Sequence, residues 1–143
     1  MAAVAANAGV AAKEASPGVA CGAVGSAPKI KTITFLARKP GMSPEAFKRH
    51  YETVHVPGAL KRIPALARAD YRRNYIGDPL RPAPSPMGFD VVTEMTFANE
   101  AEYAAERKAV ADPAVSKWIA DDLATFVDTA KIRTYVVEEC VSR

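Results

Sequence analysis

Residues 33–60, ITFLARKPGMSPEAFKRHYETVHVPGAL, hold the signals of a strand, a turn and a helix in one uninterrupted run. The strand signal reaches back to Lys29, since KIKTITFLAR is short and rich in β-branched and aromatic residues. Alternation puts Ile33, Phe35 and Ala37 on one face, and Thr32, Thr34 and Leu36 on the other. Pro40-Gly41 turns the chain, Ser43 can cap the free amides of a helix, and Pro44 suits its first position. Phe47, His50, Tyr51 and Val54 then recur at i, i+3, i+4 and i+7, which predicts the buried face and leaves His55 at its edge. Pro57 disfavours helical geometry at Val56, so His55 is expected in the last turn, with a short further turn ahead of Pro64.

Working outward, ARADYRRNYI (67–76) predicts a second strand with Tyr71, Arg73 and Tyr75 on one face. The four prolines of GDPLRPAPSPMG (77–88) make a loop. FDVVTEMTF (89–97) alternates Phe89, Val91, Thr93, Met95 and Phe97 against Asp90, Val92, Glu94 and Thr96 and predicts a third strand. Asn99 and Glu102 form a capping box for a helix over 100–111. Asp112-Pro113 opens another, with Val115, Trp118, Ile119, Leu123 and Phe126 on one face and Asp122 inside that apolar stripe. KIRTYVVEECV (131–141) closes the chain as a strand. The order βαββαβ implies a ferredoxin-like α+β fold, a four-stranded antiparallel sheet with its helices on one face. The other face then needs cover, and a second copy of the chain, a homodimer, is the usual solution.

With 143 residues there is room for one domain. Residues 1–28, rich in Ala, Gly and Val, are expected to be a flexible tail, and 29–143 the domain. The tail has neither the basic start and apolar run of a signal peptide nor the arginines of a transit peptide. A formal charge of +3 with dispersed basic residues argues against nucleic acid, and no apolar run is long enough for a membrane span. Cys21 and Cys140 show no metal or redox spacing, and nothing resembles a disulfide framework, so a cytoplasmic setting is expected.

His50 and His55 are the only histidines. An imidazole titrates near neutrality and can serve as general acid or base, so His55 is the leading catalytic candidate. Its bland alternative is a half-buried ring capping backbone carbonyls. His50 lies more squarely on the core stripe, as a core residue or a pocket wall. Five residues at about 100° each turn the two rings about 140° apart, so a helical metal pair is not expected. Asp122, a carboxylate on an apolar stripe, either reaches the helix rim or faces a cavity where its pKa would rise. Tyr51, Tyr71, Trp118 and Phe126 can line an aromatic pocket or fill the core, and Arg73 can hold an anionic group. No phosphate loop, dinucleotide fingerprint or nucleophile elbow is present, so cofactor-free chemistry, or none, remains.

The run 33–60 resembles the opening of the EthD-like branch of the dimeric α+β barrels. That pattern has a strand, a KPG[LM]S turn, then Phe, an aromatic, His and Pro at the spacing of Phe47, Tyr51, His55 and Pro57. FDVVTEMTF and DDLATFVD (121–128) are similar to its later elements, and the likeness spans about residues 30–140. Gly58 departs from it, because leucine usually follows that proline. The resemblance implies a homodimer whose sheets close into a barrel, with a small apolar pocket between sheet and helices and His55 as its functional histidine. Its members include polyketide cyclases, dehydratases, muconolactone-type isomerases and accessory proteins. The expectation is therefore a cofactor-independent lyase or isomerase acting on an aromatic or polyketide-like molecule. His55 would be the acid–base group, Tyr51 and Asp122 would orient, and His50, Arg73, Trp118 and Phe126 would line the site. A non-catalytic binding protein and a haem-handling barrel stand as alternatives.

Overall fold

The computed structural model describes residues 29–82 and 85–140. The expected tail, 1–28, lies outside the described residues. Four strands form, β1 (Ile30–Leu36), β2 (Asp70–Tyr75), β3 (Val91–Phe97) and β4 (Arg133–Val137). They pair antiparallel in the order β2-β3-β1-β4, the ferredoxin-like arrangement predicted from the element order. Thr34 is the register mark of the centre, opposite Thr93 of β3 and Thr134 of β4. Val91, Thr93, Met95 and Phe97 face the helices, as their alternation predicts. Phe89 does not join them, because β3 begins only at Val91; its ring meets Phe35, 5.4 Å away, on the opposite face.

The helices are α1 (Pro44–His50), α2 (Val56–Arg62), α3 (Glu100–Ala111) and α4 (Pro113–Phe126). All three predicted caps are present. Ser43 accepts from the Ala46 amide, Asn99 from Glu102, and Asp112 from Ala114 and Val115. Glu102 reaches back to the Ala98 amide, which completes a capping box displaced by one residue.

Between α1 and α2 the helix widens into a π turn over Tyr51–His55, with the Val56 amide bonded to the Tyr51 carbonyl five residues back. This overturns the expectation that the helix ends before Pro57. Two local features account for the wide turn. The Pro57 ring would strike the Thr53 carbonyl in a regular α-helix, and it has no N–H to donate. The Thr53 hydroxyl also donates to the Arg49 carbonyl, 2.7 Å away, in competition with the backbone ladder. The turn relieves the clash and lets the helix continue to Arg62.

Its effect on packing is direct. The buried face runs Phe47, Tyr51, His55, Ala59, Ile63, one residue in every four. A repeat of four overshoots a 3.6-residue turn, and the wide turn takes up the overshoot. Val54, expected in the core, is instead 46% exposed, and His55, expected at the edge, is 8% exposed.

Leu36, Phe47, Tyr51, Val91 and Phe126 anchor one apolar cluster, and Ala59, Ile63, Leu66 and Phe97 a second. The C-terminal end of α4 is pinned to the continuation of β1. The Lys39 amide donates to the Phe126 carbonyl at 2.8 Å, and the Asp128 amide to that of Ala37 at 2.9 Å. That tether fixes α4, and Asp122 on it, beside the π turn. Cys140 lies beyond β4, and the chain's other cysteine, Cys21, lies outside the described residues.

Candidate functional site

Asp122 sits between the two histidines and bonds to both. His50 Nε2 lies 2.8 Å from Oδ1, and His55 Nδ1 lies 2.7 Å from Oδ2. The 140° separation predicted for the rings assumed regular helical geometry, and the π turn narrows it enough for both rings to reach Asp122. Because each ring takes a different carboxylate oxygen, the two do not converge on one point. Among the described residues no group of three or more His, Cys, Asp and Glu is placed to hold a metal.

The carboxylate accepts only, so the His55 ring carries its proton on Nδ1 and leaves a lone pair on Nε2. This is the relation of the orienting acid to the base in a catalytic triad. Burial holds His55 below the ordinary histidine pKa; Asp122 opposes that shift and His50 adds slightly to it. The ring is also fixed sterically. Trp118 stacks on it at 5.6 Å between ring centres, inclined by 18°, and the Tyr51 ring meets it edge-on at 5.3 Å. Phe126 lies beneath both histidines, 4.5 Å from His50 and 5.5 Å from His55.

His55 opens onto a cavity of about 180 Å³ between the two apolar clusters, walled by the sheet-facing stripe of the π turn and α2. Most of its lining is aliphatic. The polar groups are His55, Glu106, the Tyr51 and Tyr71 phenols, and the hydroxyls of Thr34, Thr93 and Thr134. Tyr51 Oη is 2.7 Å from Thr93 Oγ1 and 3.5 Å from Tyr71 Oη. Burial raises the pKa of both phenols, so they stay neutral.

Of the residues singled out from sequence, Tyr51 and His55 line the cavity, and Asp122 is reached through His55. His50, Arg73, Trp118 and Phe126 are not among its lining residues. Arg73 is held by Glu52 in a two-pronged pair at 3.1 and 3.0 Å, and the Tyr75 hydroxyl donates to the same carboxylate at 2.8 Å. That pair holds Glu52 below the usual carboxylate range. Trp118 fills the space above Gly58. A Cβ added there would lie 2.3 Å from the indole Cζ2. The glycine that departs from the family pattern is thus the place where the tryptophan comes closest. Glu106 escaped the sequence reading, although it carries the same signal as Asp122. With Tyr103 and Val110 it occupies i, i+3 and i+7, a carboxylate on the apolar stripe of α3.

Fold and site define a ferredoxin-like α+β domain with a histidine–aspartate pair beside a mostly apolar, part-open cavity. The EthD domain family model matches residues 39–130, and the chain belongs to that family. Three solved structures share the fold. An EthD-family protein of Bacillus halodurans is 22% identical, with a TM-score of 0.52 over 77% of this chain and 98% of its own. An EthD-like protein of Ralstonia eutropha is 18% identical, with a TM-score of 0.55 over 82% and 96%. A protein of Arabidopsis thaliana is 16% identical, with a TM-score of 0.55 over 80% and 98%. No curated protein matches the chain. Among the described residues no helix is long and apolar enough to cross a membrane.

Proposed function

We propose that this chain is a cofactor-independent lyase or isomerase, of dehydratase or cyclase type, acting on a small aromatic or polyketide-like molecule with His55 as general acid–base. The observation that carries this reading is the Asp122–His55 hydrogen bond at the wall of an apolar cavity. His55 Nε2 takes a proton from a carbon next to a carbonyl, and Asp122 stabilises the imidazolium that results. The Tyr51 and Tyr71 hydroxyls stand where neutral donors can polarise that carbonyl. Returning the proton to a departing hydroxyl releases water; returning it to another carbon isomerises the substrate.

The pH profile tests this reading. Because burial lowers the His55 pKa, the acid limb of kcat/KM is expected below about 6.5, the unperturbed histidine value. Stability follows the same sign. As pH falls through the unfolded value toward the folded one, the unfolded chain takes up the proton first, so His55 makes stability decline in that window. The slope should vanish in His55→Gln. An acid limb above 6.5, or one that survives in His55→Gln, counts against the assignment.

The sheet face away from the helices supports a homodimer. It carries Ile33, Phe35, Phe89 and Val92, with Tyr135 beside them at 53% exposure. Tyr135→Arg is expected to shift the chain from dimer to monomer in sedimentation velocity. A parent protein that sediments as a monomer at micromolar concentration would sink this part of the reading.

A further inference from the structure

Glu106 is 6% exposed and lines the cavity, yet no hydrogen bond or ion pair reaches its carboxyl among the described residues. Its one charged influence is Arg107, its neighbour on α3, which is too weak to offset burial. A carboxyl that lines an apolar cavity with no protein partner is costly there, and the cost is relieved when it is neutral and meets an acceptor. Burial drives it in that direction, raising its pKa above the usual glutamate value. A neutral carboxyl has an O–H to donate, and Glu106 lines the cavity.

The rest of the lining restricts what can enter. Among the described residues, no lysine or arginine lines the cavity. The arginine expected to hold an anionic end, Arg73, is saturated by Glu52. A carboxylate ligand would find no counter-charge among those lining residues. The volume, about 180 Å³, suits one substituted ring, since a cavity of about 150 Å³ accepts benzene.

We propose that Glu106 is a second polar anchor of the cavity, binding an uncharged single-ring ligand by donating a hydrogen bond to its carbonyl or hydroxyl oxygen. This rests on the reading of the cavity as a substrate site and narrows it to neutral ketones and phenols.

Acetophenone, benzoate and ethylbenzene serve as probes, titrated calorimetrically into the parent protein, Glu106→Gln and Glu106→Leu. Acetophenone is expected to bind the parent at least about tenfold more tightly than benzoate. Glu106→Gln keeps a donor and should hold acetophenone within about threefold, whereas Glu106→Leu should weaken it about tenfold. Ethylbenzene, with no oxygen, should bind Glu106→Leu at least as well as the parent. Misfolding is not the concern, because leucine replaces a side chain that makes no hydrogen bond or ion pair among the described residues. Equal acetophenone affinity in parent and Glu106→Leu overturns the proposal. So does tighter binding of benzoate, or no binding of either neutral probe to the parent. Because the readout is affinity rather than turnover, the anchor can fail while His55 chemistry stands, and the reverse.

Discussion

His55→Gln is expected to lower turnover by about 10²–10⁴-fold while the chain stays folded, since only the proton carrier is lost. Asp122→Asn should fall in the same range for a different reason. An asparagine amide offers one acceptor and one donor to two rings that both donate. One ring must invert its tautomer, and if His55 does so its proton moves to Nε2 and the base is gone. The nitrogen shifts of the His55 ring report that tautomer directly by NMR, with no substrate needed. His50→Gln keeps a donor toward Asp122 and should lose less than about tenfold. Parental turnover in His55→Gln would remove His55 from the chemistry. A ligand recovered unchanged from the parent protein would make the cavity a binding site alone.

The second large effect is expected at Gly58. A leucine there meets the Trp118 indole at 2.3 and 2.7 Å, well inside contact distance, so the ring must leave. Overpacking of this kind costs about 1–3 kcal/mol. Better helix propensity returns about 0.8–1 kcal/mol, which does not cover the loss. Trp118 also gives up its stack on His55 and its contact with the Arg62 guanidinium, 4.2 Å from its centre. It is the only tryptophan in the chain, so its fluorescence reads the displacement without ambiguity. A compensating Trp118→Ala should restore most of the stability lost in Gly58→Leu, measured as the shift in denaturant midpoint. If the double variant is no more stable than Gly58→Leu, the two positions are not coupled as the geometry requires.

The strands and caps were legible because their signals are local. Ser43, Asn99 and Asp112 cap the amides their spacing predicts, and the alternation of β1 and β3 puts Leu36, Val91 and Phe97 inward. The site was legible residue by residue but not as an arrangement. His55 stood out by chemistry and Asp122 by its place on an apolar stripe. Their bond, and its extension to His50, depends on a wide turn that an ideal helical wheel cannot represent. The same assumption placed Val54 inside and His55 at the edge. A repeat of four over Phe47, Tyr51, His55, Ala59 and Ile63 was the available clue. Glu106 was missed for a plainer reason. The stripe test that flagged Asp122 in α4 applies equally to α3, where alanines dilute the apolar face.

The wide turn also decides how portable the site is. Two histidines five apart and a facing aspartate are not a transferable motif by themselves. Grafted onto an unbroken α-helix of another ferredoxin-like scaffold, the rings would splay and only one could reach the carboxylate. The transplant has to include the extra residue of helix and the proline that keeps it from closing up. Chain length, more than side-chain identity, is what assembles this site.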